Sequence, residues 1–106
     1  MIMESKFTVR QVTDIITDAA ERCDYNKIGI DRNPHSISIR FSDYYICGED
    51  MNIGTHDFSF DRSLFYNEYD GNNLKRISED DWFREVDRYF WTVCGVHLDI
   101  NAANRQ

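Results

Sequence analysis

No apolar run in this sequence approaches the roughly 20 residues that a membrane-spanning helix needs, and the opening residues MIMESKFT lack the basic and apolar regions of a secretory signal. A cytoplasmic protein with no membrane contact is therefore expected. No glycine-rich phosphate loop occurs. The three histidines, His35, His56 and His97, lie far apart, and neither His-x-x-x-His nor Cys-x-x-Cys spacing is present, which removes the usual signatures of a zinc site. Asp50 to Asp57 begins with the Asp-x-Asn-x-Gly spacing of a calcium loop. It lacks the glycine at the sixth position and the closing glutamate of an EF-hand, so no metal ligand is assigned.

Cysteine is sparse as well. Cys23, Cys47 and Cys94 are odd in number, widely spaced and set in apolar patterns, which predicts three reduced core thiols. Because Cys47 and Cys94 sit in apolar runs, neither is assigned as a catalytic thiol. With no catalytic residue and no cofactor assigned, a non-enzymatic protein is expected. Internal repeats, low-complexity runs and linkers are absent too. The 106 residues are enough for one domain with a modest core, and an apolar content of 42% with 14% aromatic argues for a folded globule.

Basic residues are outnumbered, twelve to nineteen, giving a net charge of −7. Residues 1 to 41 carry six of each sign, and residues 88 to 106 sum to +1. Ser42 to Asp87 holds twelve acidic and four basic residues, a net of −8. Such a field repels nucleic-acid phosphates and acidic membranes, and it attracts basic protein surfaces.

Among the features present, Ser78 to Gly95 (SEDDWFREVDRYFWTVCG) is the most informative. Ser78 suits the N-cap, Ile77 and Trp82 occupy the two positions of a hydrophobic staple, and Glu79, Asp80 and Asp81 complement the helix dipole. Gly95 suits the left-handed closing position. Between these ends Trp82, Val86, Tyr89, Phe90 and Val93 recur at helical spacing, with Phe83 and Cys94 at the edge of the stripe. Trp91 breaks the pattern and falls among Asp80, Arg84 and Asp87. An aromatic there is either covered by a second layer or exposed as a binding hot spot.

An earlier helix over about residues 8 to 23 uses the same devices, with Thr8 and Gln11 as a capping box and Phe7 stapled to Val12. Its stripe is Val9, Val12, Ile16, Ala19, Ala20 and Cys23. Between the helices Lys27 to Asp31 and Ser36 to Phe41 alternate around Arg32-Asn33-Pro34-His35, a hairpin turn holding the only proline. The second strand continues through Tyr44 to Cys47, and Gly48-Glu49-Asp50 turns the chain. Met51 to Asp61, Leu64 to Tyr69 and Leu74 to Ile77 supply further strands, the last two flanking the turn Asp70 to Asn73. Val96 to Ile100 alternates and predicts a final edge strand, followed by a frayed tail over 101–106. The sum is a single α+β domain comprising an N-terminal helix, an antiparallel meander of three to five strands and a C-terminal capped helix. Both helices should lie on one face of the sheet, leaving the other face, with Ser36, Ser38 and Arg40, open.

The function expected is a binding or inhibitory module that offers carboxylates and aromatics to a basic protein surface, including the class that handles nucleic acid. Small inhibitors carried by phages and mobile elements, and immunity proteins against nuclease toxins, work this way and share this size and composition. The partner-binding candidates are Glu49, Asp50, Asp57, Asp61, Glu68, Asp70, Glu79, Asp80 and Asp81, with Trp91 or a neighbouring tyrosine as anchor. One alternative is an accessory subunit or homo-oligomer that pairs through a strand edge or apolar patch. The other is a small enzyme or ligand binder built around the sheet.

Overall fold

The computed structural model describes residues 6–23, 28–42, 55–69 and 72–104. Helix α1 (Val9–Arg22) starts at the capping box: Gln11 N donates to Thr8 Oγ1 at 3.1 Å, and Thr8 N donates to Gln11 Oε1 at 2.9 Å. Five strands follow, β1 (Ile28–Asn33), β2 (Ser36–Ser42), β3 (Thr55–Asp61), β4 (Leu64–Tyr69) and β5 (Asn72–Ile77). They pair antiparallel in chain order, so the sheet is a plain meander with β1 and β5 at its edges.

Side-chain chemistry fixes the first turn. Asn33 Oδ1 accepts from His35 N at 3.1 Å and from Ser36 Oγ at 2.8 Å, closing the chain around Pro34. Between β3 and β4, Arg62 and Ser63 both adopt positive φ (53° and 69°), as the mirror-image turns of tight hairpins require. Strand β5 begins two residues earlier than its alternation suggested and takes in Asn72 and Asn73.

Helix α2 (Glu79–Cys94) is capped as its sequence predicts. Asp81 N donates to Ser78 Oγ at 3.1 Å, and Gly95, at φ 69°, donates its N–H to Trp91 O at 2.8 Å. Ile37, Ile39 and Phe41 of β2, Phe58 and Phe60 of β3 and Phe65 of β4 form the buried face of the sheet. Against it pack Val12, Ile16, Ala19 and Ala20 of α1 and Trp82, Val86, Tyr89 and Phe90 of α2, so both helices cover one face. Ile15, outside the expected stripe, is fully buried as well.

The two helices run in the same direction. Phe7 meets Phe83 near their N-terminal ends, ring centroids 5.6 Å apart, and Cys23 meets Cys94 at their C-terminal ends. Their dipoles therefore point alike, and Glu79, Asp80 and Asp81 sit where the positive ends gather.

Three expectations need correction. Cys23 and Cys94 form a disulfide, Cα atoms 5.4 Å apart, rather than two reduced thiols. The bridge spans 71 residues and depends on the parallel packing of the helices, which local patterns do not encode. Val96–Asp99 is not a strand, because side chains take the backbone groups that a ladder would use: Asp87 accepts from Leu98 N, and Arg22 donates to His97 O. Residues 101–104 are not frayed. They belong to a 3-10 helix, Ile100–Asn104, which packs on α1 and buries Ala102 and Ala103.

The expected continuation through Tyr44–Cys47, the turn at Gly48–Asp50, Cys47 itself and most of the calcium-like segment lie outside the described residues. Among the described residues, no helix is long and apolar enough to cross a membrane.

Candidate functional site

Trp91 projects from the side of α2 away from the sheet and is 54% exposed, so the core does not claim it. Gly95 turns the chain back along the helices and brings His97 over the indole. The two rings stack with centroids 4.5 Å apart and planes 7° from parallel. Because the imidazole covers one face of the indole, the remaining exposure belongs to the other face and the ring edge.

Asp87, one turn before Trp91 on α2, braces this arrangement from below. Its Oδ2 lies 2.9 Å from His97 Nδ1, and its Oδ1 accepts from Leu98 N at 2.7 Å. A single carboxylate thus sets both the ring and the backbone that carries it. From α1, Arg22 Nη2 donates to His97 O at 2.7 Å and to Asp18 Oδ2 at 2.9 Å. The platform is therefore built across both helices and the returning segment. Its indole is held in one orientation by the stack and the braced imidazole.

The acidic candidates fall in separate places. Asp57 and Glu68 are directly opposed on β3 and β4, on the open face of the sheet. Asp57 is engaged there by its β2 neighbour: Arg40 Nε and Nη2 donate to its two oxygens, both at 3.0 Å. That bonding, then the charge of Asp57, with Asp31 and Glu68 adding, holds the Arg40 guanidinium above its usual pKa. Beside this pair Gly29 leaves a shallow hollow of ≈ 270 Å³ bordered by Asp31 and Ser38.

Asp61 closes β3, 3.8 Å from Arg62. Glu79, Asp80 and Asp81 occupy the first turn of α2, where Arg84 Nη2 meets Asp81 Oδ1 at 2.6 Å. Glu79 and Asp80 border a second hollow, of ≈ 250 Å³, with Lys6, Phe7, Phe83 and Ile100. Glu49, Asp50 and Asp70 lie outside the described residues.

At about 1.5 Å of rise per residue, roughly 18 Å of helix separates Glu79 from Trp91. Trp91 and the carboxylates of the first turn thus share one helix, at opposite ends of it. Asp57 and Glu68 face the other side of the domain.

Sequence reasoning found Trp91 and missed His97, Asp87 and Arg22 as its supports. Asp87 was legible as a helical neighbour of Trp91, four residues back. His97 and Arg22 join only because the chain reverses at Gly95, and no spacing rule reports that. Among the described residues no group of three His, Cys, Asp or Glu stands close enough to hold a metal ion. No family model matches this chain, and neither a curated protein nor a solved structure does.

Proposed function

We propose that the chain is a non-enzymatic, cytoplasmic protein-binding module that uses Trp91 as its anchor and its acidic surface to steer a basic partner, in the manner of small inhibitors of nucleic-acid-handling proteins. The carrying observation is the exposed indole, stacked on His97 and braced through Asp87. A large, rigid aromatic in the open is the residue type that dominates binding energy when a partner covers it. The excess of twelve acidic over four basic residues between Ser42 and Asp87 supports a basic partner. Glu79 and Asp80, on the same helix as Trp91, are the carboxylates best placed to steer toward it.

Self-association through a strand edge has one feature in its favour, Leu74 on β5, which is 60% exposed. Lys75 and Arg76 follow it directly, and a second β5 laid against the first brings like charges together. Binding by Trp91 is the better-supported reading.

Affinity capture from the native host, at low and high salt, with the parent chain and Trp91→Ala in parallel, tests it. A protein that the parent retains, that salt weakens and that the variant fails to hold is the expected result. Capture indifferent to both salt and the substitution overturns it.

A further inference from the structure

We infer that the Cys23–Cys94 bridge is a redox switch on the Trp91 platform: closed, it fixes the platform, and opened by a dithiol, it lets the platform loosen. The position of the bridge carries this. Cys23 is the C-cap of α1 and directly follows Arg22, whose guanidinium holds the His97 carbonyl. Cys94 is the last residue of α2, and the next residue, Gly95, closes the helix on the carbonyl of Trp91 itself. One covalent link therefore ties together the two helix ends from which the platform is assembled.

Without the link, the same corner is held by the Arg22 bond to His97, the Asp87 bonds and the Gly95 cap. Arg22 and Gly95 stand at helix ends, Asp87 two turns inside α2, and most of these bonds are exposed. Helix ends are where local opening costs least. Cys23 borders the core, with Cys94 and Leu98 packed against it, while the buried contacts of β2 and β3 with Trp82, Val86 and Phe90 lie elsewhere along α2.

The chemistry is thiol–disulfide exchange. A thiolate of a dithiol reductant attacks the sulfur of Cys94, the less buried of the pair, and expels Cys23 as thiolate. The second thiol of the reductant then attacks the mixed disulfide and expels Cys94. Two electrons pass from the dithiol, which leaves as a disulfide, and its two protons end on the cysteines. In a reducing compartment, where the proposed function puts the chain, a protein disulfide is typically transient and redox-sensing.

Platform order can be read without any partner. What that order does for binding rests on the Trp91 reading above, so the two fail separately. The full chain, isotopically labelled, is compared by NMR after treatment with oxidised glutathione and after dithiothreitol, with Cys23→Ser/Cys94→Ser as a permanently open form. Mass spectrometry reports the bridge. In the open forms the nuclear Overhauser contacts between the Trp91 and His97 rings should weaken. Amide exchange over 91–98 should accelerate by about tenfold or more, while amides of β2 and β3 keep their protection.

Failure of the bridge to form in oxidised glutathione overturns the switch, as does a platform equally ordered in both states. Global unfolding on reduction also overturns it, since the bridge is then a staple for the whole fold. A platform that loosens while partner capture stays unchanged leaves the switch standing and removes Trp91 as anchor.

Discussion

His97 lies flat on Trp91, with ring centroids 4.5 Å apart and planes 7° from parallel, and Asp87 holds the imidazole through Nδ1. The exposed indole is thus a fixed feature of the surface. Its support runs through a carboxylate that also satisfies a part-buried backbone N–H, that of Leu98. These two roles separate by mutation. Asp87→Ala leaves the Leu98 N–H without its acceptor and should cost about 1–3 kcal/mol of stability. Trp91→Ala removes an exposed ring and should change stability by less than about 1 kcal/mol. Urea unfolding of both variants checks the contrast, and equal costs would mean that the stack itself, not Asp87, organises the returning segment.

Trp82 behaves in the opposite way. Its ring is wholly buried, meets Phe58, Phe65 and Phe83, and donates its indole N–H to Tyr66 O at 3.2 Å. Trp82→Ala should cost roughly 3–5 kcal/mol, through lost burial and the cavity left behind. A cost below about 1 kcal/mol in denaturant titration would contradict the packing of α2 on β4.

Much of this was legible because it is local. Caps, staples and apolar stripes act over four residues, so Thr8, Gln11, Ser78 and Gly95 marked the helix ends, and Trp82, Val86, Tyr89 and Phe90 marked the buried face. Alternation likewise oriented Ile37, Ile39 and Phe41. What escaped depends on parts of the chain meeting at long range. Cys23 reaches Cys94 across 71 residues, and the odd cysteine count argued for free thiols. His97 alternated as though in a strand, but Asp87 and Arg22 claim its ring and its carbonyl. The acidic residues were countable from sequence, yet their division between the open sheet face and the start of α2 follows from strand register and helix placement.

The bridge also carries a stability prediction that does not depend on its role at the platform. Closing a loop across 71 residues restricts the unfolded chain, and the loop-entropy estimate is about 4 kcal/mol. Reduction should therefore lower the denaturant midpoint with a stabilisation loss of about 2–4 kcal/mol, the sheet core remaining folded in the absence of denaturant. Paired titrations with and without dithiothreitol measure it. Coincident curves would mean that the two sulfurs are not bridged in solution.

The steering and anchoring roles proposed for α2 make different kinetic demands. Glu79 and Asp80 sit in its first turn, roughly 18 Å along the axis from Trp91, so substitutions at the two ends should act independently. Carboxylates at such a distance act through the field. Glu79→Lys/Asp80→Lys should slow association and flatten its dependence on salt, while changing dissociation little. Trp91 acts by contact: Trp91→Ala should speed dissociation and cost about 2 kcal/mol or more of affinity, nearly the same at every ionic strength. Surface-immobilised partner and a salt series resolve the two effects, once circular dichroism has shown each variant folded. The combined variant should show the sum of both changes. If the charge reversal and the truncation each bind like the parent across the series, the carboxylates only solvate the domain and the indole is idle. The edge strand β5, with Leu74 at its centre, is then the surface to test next, by sedimentation of the parent chain against Leu74→Lys.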